Sequence, residues 1–92
     1  MPRVTVHLPS ALRSHADDRS EVEVEAETAG EALREVSRMS PGLEAHLFDE
    51  NGRLRSSVRI YVGETELGEL GGESHRLEEG DEIMVVPAIA GG

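Results

Sequence analysis

Two short stretches near the start of the chain alternate apolar and polar residues with a period of two. In the first, Val4, Val6 and Leu8 alternate with Thr5 and His7. In the second, Val22, Val24 and Ala26 alternate with Glu21, Glu23 and Glu25. A period of two puts each apolar set on one face of a half-buried strand. Pro9 closes the first stretch, and residues 10–19 read as a turn region anchored by Leu12. A connection of that length is too short for a typical parallel crossover, so the two strands are expected to pair as an antiparallel hairpin. A hairpin with one apolar face cannot stand alone in water, and the rest of the chain has to cover it.

The next segment supplies the cover. Thr28 followed by Glu31 is a capping-box pattern, with the hydroxyl closing the first helical turn and the carboxylate reaching back. A helix is expected from residue 29 to about 40, with Ala29, Ala32, Leu33, Val36 and Met39 on one stripe. Gly30 in its first turn should weaken it only slightly, and Pro41-Gly42 should end it. Leu43 and Leu47 read as a loose turn under the sheet, and Asn51-Gly52 as a tight turn.

Residues 54–62 read as the third strand, with Val58, Ile60 and Val62 on one face and Arg59 and Tyr61 on the other. A short element around Leu67 follows, and Gly71-Gly72-Glu73-Ser74 reads as loop. Gly80-Asp81 turns the chain into a last strand over residues 83–86, and Pro87 is expected to stop its ladder. Hairpin, crossing helix and returning strands make an α+β arrangement, a mixed sheet of four to five strands with one main helix across one face. That order is the β-grasp architecture. The expected division is a β-grasp domain over residues 1–87 and a flexible tail over residues 88–92.

The 92 residues allow one modest core. With one Phe, one Tyr and no Trp, that core must be aliphatic. Absence of cysteine excludes disulfides, zinc-thiolate sites and side-chain thiol chemistry. The net charge of −10 argues against nucleic acid and anionic membranes, and favours a basic protein partner. No leader-like or membrane-spanning run is seen, so a soluble cytoplasmic protein is expected. All nine basic residues are arginine, so the chain cannot build lysine-linked polymers of itself.

The four histidines, His7, His15, His46 and His75, are scattered without a ligand-like spacing, so no metal site is expected. Glu21, Glu23 and Glu25 read as a solvated strand face rather than acid/base catalysts. No nucleophile–base set, phosphate-binding loop or cofactor fingerprint is present, so neither an enzymatic site nor a bound cofactor is expected. What stands out instead is the end: Pro87-Ala88-Ile89-Ala90-Gly91-Gly92 follows an apolar strand directly. Gly92 has no side chain, so its reactive group is the α-carboxylate. Two terminal glycines can pass extended through a slot too narrow for larger residues. Fully stretched, residues 88–92 would span roughly 17 Å.

The spacing Leu77-x-x-Gly80-Asp81-Glu82-x-x-x-x-Pro87-x-x-Ala90-Gly91-Gly92 resembles the ubiquitin-like sulfur-carrier proteins. These include the molybdopterin synthase small subunit, the thiamine-pathway sulfur carrier and the cysteine-pathway carrier of actinobacteria. The segment Val58-Arg59-Ile60-Tyr61-Val62, with Gly71-Gly72 downstream, looks most like the cysteine-pathway branch. The resemblance implies that a partner adenylyltransferase and sulfurtransferase uses ATP to activate the carboxylate of Gly92, which then becomes a thiocarboxylate. It implies that Ala88, Ile89, Ala90 and Gly91 thread into a sulfur-accepting enzyme. That acceptor would be a cysteine synthase-like or thiosugar synthase-like enzyme, or the large subunit of molybdopterin synthase. A ubiquitin-like modifier joined to other proteins through Gly92 is the reading from another class. If the alternation is in register, Arg59, Tyr61, Met84 and Val86 share the outward sheet face as a docking surface; a shift by one residue would put Met84 and Val86 in the core.

Overall fold

The computed structural model describes residues 1–16 and 18–87. Its strands are β1 (Arg3–His7), β2 (Glu21–Glu25), β3 (Val58–Val62), β4 (Thr65–Glu66) and β5 (Glu82–Pro87). Its α-helices are α1 (Ser10–Arg13), α2 (Ala29–Met39) and α3 (Pro41–Leu47). The five strands form one sheet in the order β2-β1-β5-β3-β4. β1 runs antiparallel to β2 and parallel to β5, and β5 runs antiparallel to β3, so the sheet is mixed. This is the β-grasp fold the alternation and the helix signal lead to.

The hairpin forms with Val4 opposite Val24 and Val6 opposite Val22. Leu8 N–H donates to the Ser20 carbonyl at 2.8 Å, and Ala26 N–H to the Pro2 carbonyl at 3.0 Å, closing the ladder at both ends. Between these strands the turn region is more ordered than expected, with α1 and a 3₁₀ turn over Ser14–Ala16 burying Leu12 and Ala16. The core is aliphatic: Val4, Val6, Leu33, Val36, Leu43, Leu47 and Ile83 are the large side chains most fully enclosed.

α2 starts as the capping box requires. Thr28 Oγ1 accepts from Glu31 N–H at 3.2 Å, and Glu31 Oε2 accepts from Glu27 N–H, one residue upstream of the usual partner, at 3.0 Å. Ala29, Ala32, Leu33 and Val36 are buried, but Met39 is 50% exposed. The buried face turns towards Gly30 and Ser37 instead. Ser37 is tolerated there because its hydroxyl donates to the Leu33 carbonyl at 3.0 Å, leaving no unpaired polar atom.

Four further expectations are corrected. Pro41 does end α2, but it also occupies the first turn of α3, where its missing N–H costs nothing. Leu43 and Leu47, four apart, therefore lie one turn apart on a regular helix rather than in a loose turn. The third strand covers only Val58–Val62; Leu54 makes an isolated bridge with Phe48, and a turn bonding Val58 N–H to the Arg55 carbonyl separates the two. Gly72–Ser74 forms a 3₁₀ turn, with Gly71 and Gly72 at φ of 100° and 85°. Pro87 is the last residue of β5, opposite Val58. Gly63 N–H donates to the Glu82 carbonyl, so alternate pairs 61–84 and 59–86 carry the ladder bonds. Pair 58–87 falls between them and asks Pro87 for no donor towards β3.

The loop after α3 is held by Asp49. Its carboxylate accepts from Arg53 N–H and Asn51 N–H, which hold its pKa below the ordinary value, Arg53 foremost. Gly52, at φ 78°, completes this turn as the Asn51-Gly52 pair indicates.

Gly30 has a role beyond helix propensity. A Cβ there would lie 2.9 Å from Glu73 Cβ, so the Gly72–Ser74 turn sits directly on the helix backbone. Alanine normally gains about 1 kcal/mol over glycine within a helix. Overpacking costs about 1–3 kcal/mol. We expect Gly30→Ala to destabilise by about 1 kcal/mol net, and Gly30→Ala with Glu73→Gly to recover it; urea unfolding followed by circular dichroism measures both. The same assay checks the register of β5: Ile83→Ala should cost about 2–5 kcal/mol, and Met84→Ala less than about 1 kcal/mol.

Candidate functional site

Ile83 and Val85 point into the core, whereas Met84 and Val86 are 39% and 40% exposed. The alternation along β5 is thus in the register expected. Tyr61 stands directly opposite Met84, and Arg59 directly opposite Val86. Both are hydrogen-bonded pairs of an antiparallel ladder, in which facing side chains are neighbours. Arg59, Tyr61, Met84 and Val86 therefore form one contiguous patch on the sheet face away from α2 and α3.

Charges frame this patch. Arg59 Nη1 lies 3.4 Å from Glu66 Oε2 on β4. On the other side His7, opposite Met84 on β1, pairs with Glu82 at 2.6 Å and lies 3.6 Å from Glu21. The exposed carboxylates of β2 continue the face beyond it. A small apolar centre with one guanidinium and an acidic surround suits a partner surface that is apolar at its middle and basic at its rim.

β5 lies in the middle of the sheet, between β1 and β3. Its start is clamped at the Gly80-Asp81 turn. Asp81 N–H donates to the Glu78 carbonyl, Gly80 N–H to the Arg3 carbonyl and Thr5 N–H to the Asp81 carbonyl. Gly80 takes φ 88°, a conformation that glycine adopts without the Cβ penalty. Its other end, Pro87, leads to Ala88, Ile89, Ala90, Gly91 and Gly92, which lie outside the described residues.

A concavity not foreseen from the sequence opens between α2, α3 and the 49–55 turn. The Arg34 guanidinium stacks 5.1 Å from the centre of the Phe48 ring, donates to the Gly52 carbonyl and pairs with Glu73 at 2.9 Å. Arg55 donates to the Ala45 carbonyl at 2.7 Å. These two arginines brace the helix layer, and their contacts cross sequence separations that no local pattern reports. Among the described residues, no group of three or more His, Cys, Asp or Glu side chains could hold a metal ion. Among the same residues, no helix is long and apolar enough to cross a membrane.

Comparison with known proteins agrees with this fold. The sulfur carrier protein CysO of Mycobacterium tuberculosis is 31% identical over 91 residues, covering 97% of this chain and 98% of the relative. A chain in the crystal structure of the Amycolatopsis orientalis BexX/CysO complex superposes with a TM-score of 0.87 at 31% identity, covering 97% of this chain and 99% of that one. The small archaeal modifier protein 3 of Haloferax volcanii is 32% identical over 65 residues, 71% of this chain and 70% of the relative. Residues 6–92 match the ThiS family, and with near full-length identity above 30% to a carrier of this kind, the chain belongs to that family.

Proposed function

We propose that this protein is a sulfur carrier whose working group is the α-carboxylate of Gly92. The observation that carries the reading is the family match, which continues from the β-grasp body through residue 92. The central, clamped position of β5 supports it, because the segment leading to Gly92 follows a strand paired on both sides.

The chemistry follows from the weakness of a carboxylate as an acyl electrophile. In the partner's site the Gly92 carboxylate attacks the α-phosphorus of ATP, a P–O bond breaks, and pyrophosphate leaves. The acyl-adenylate then accepts hydrosulfide, or its equivalent from a sulfur donor, at the carbonyl carbon. The C–O bond to AMP breaks, a C–S bond forms, and one proton is released. The thiocarboxylate is a nucleophile at neutral pH: its sulfur bonds to an electrophilic carbon in an acceptor enzyme, of cysteine synthase-like or thiosugar synthase-like type, to give a thioester. Water then cleaves the acyl–sulfur bond, leaving the sulfur on the product and restoring the Gly92 carboxylate. Ala88, Ile89, Ala90 and Gly91 line the acceptor's channel, and Arg59, Tyr61, Met84 and Val86 dock the body outside it. The protein acts as a co-substrate; ATP binds the activating partner.

A modifier reading is favoured by one observation, the 32% identity to a small archaeal modifier protein. Intact mass separates the two. After incubation with the activating enzyme, ATP and sulfide, a carrier gains about 16 Da by oxygen-to-sulfur exchange. Conjugates of higher mass that survive reducing agent mark a modifier. A residue appended after Gly92 should abolish the gain.

The docking face has its own test. Tyr61→Ala or Met84→Glu should raise the acceptor enzyme's KM for the thiocarboxylate form about tenfold, as loss of a central interface side chain does, with the folded state retained. An unchanged KM for both variants would remove this face from the proposal.

A further inference from the structure

Among the described residues β2 is an edge strand, with β1 on one side only. The bonds Leu8 N–H to Ser20 and Ala26 N–H to Pro2 fix which residues of β2 face its partner. Alternation from those pairs assigns Val22 and Val24 to the ladder, and turns the N–H and C=O groups of Glu21, Glu23 and Glu25 outward. The same three residues put their side chains on the solvent face. Glu25 is 3.7 Å from Arg3 and Glu21 is 3.6 Å from His7, but Glu23 has no side-chain partner among the described residues.

Beside this edge, between β2 and α2, lies an open groove of about 680 Å³ lined by Met1, Val24, Glu31, Arg38 and Met39 among others. Met1 is 76% and Met39 50% exposed. Apart from Met84 and Val86 on the opposite face, these are the exposed large apolar side chains of the described residues. An open backbone edge, a row of carboxylates above it and two uncovered methionines below it occur together.

We propose that the free edge of β2 and its groove dock an extended, basic segment of a partner protein, added to the sheet as a sixth strand. The backbone of Glu21, Glu23 and Glu25 pairs with the segment. Its alternate Lys or Arg residues lie across from the three carboxylates, and its intervening apolar residues cover Met39 and Met1. A second copy of this chain is disfavoured by the same geometry in the central register. Antiparallel pairing of two β2 edges through their outward groups would set Glu23 against Glu23 and Glu21 against Glu25, like charges directly opposed. This site is separate from the tail and does not depend on what Gly92 does.

The test uses the full chain, ¹⁵N-labelled, and an end-blocked heptapeptide of alternating lysine and valine at low ionic strength. Saturable shifts at Glu21, Glu23, Glu25 and Met39 are expected, with amide exchange at the three glutamates slowed about tenfold and the effect weakened by salt. Glu23→Pro removes an outward donor without touching the β1 ladder, so a folded variant should lose binding. Met39→Lys, at a half-exposed position, should weaken it about tenfold and decides the matter alone if Glu23→Pro does not fold. Several results would overturn the proposal: no saturable shift at about 1 mM peptide, undiminished binding by Met39→Lys or a folded Glu23→Pro, equal binding of a glutamate–valine peptide, or shifts confined to Tyr61, Met84 and Val86.

Discussion

β5 pairs with a parallel neighbour on one side and an antiparallel neighbour on the other, and the rest of the structure is arranged around that double attachment. Ile83 and Val85 fix its inner side in the aliphatic core, so a shift by one residue would bury Met84 and Val86 and expose two core side chains. The outer side is then determined as well. Tyr61 and Arg59 arrive opposite Met84 and Val86 because β3 has a single register that keeps Ile60 buried. Core packing thus sets the surface chemistry, with no extra interaction needed to place the patch.

The residues that were legible in the sequence belong to patterns of short range. The alternations of β1, β2, β3 and β5, the Thr28–Glu31 box and the Asn51-Gly52 and Gly80-Asp81 turns each act within a few positions of chain, and each forms, though β3 begins only at Val58 and β5 runs on through Pro87. What escaped depends on contacts across the sequence. Met39 continues the helical stripe but falls at the last turn, beyond the sheet, where Ser37 is covered instead. Gly30 reads as a mild helix defect until the Gly72–Ser74 turn is seen against it. Leu43 and Leu47 read as a loose turn after Pro41-Gly42 ends one helix, but proline also starts another. The outward patch was legible through period two alone, whereas the Arg34–Phe48 brace and the β2 groove were not.

Charge is distributed unevenly over the fold. Arg34 and Arg55 are engaged within the helix layer and its loops, each by a hydrogen bond to a backbone carbonyl. The carboxylates of β2 stay on the opposite, solvent face. Surface pairs such as Arg3–Glu25 contribute little stability at ordinary salt. Their larger effect is on the field a partner meets, which is negative along β2 and has one guanidinium, Arg59, near the other end of the face.

Tyr61, the single tyrosine of a chain that has no tryptophan, sits among the outward residues of β3 rather than in the core. Near-ultraviolet absorption and intrinsic fluorescence at tyrosine wavelengths therefore originate from one surface position. The molecule carries a built-in optical reporter: its signal follows whatever covers the outer sheet, and is nearly blind to rearrangements among the aliphatic side chains beneath.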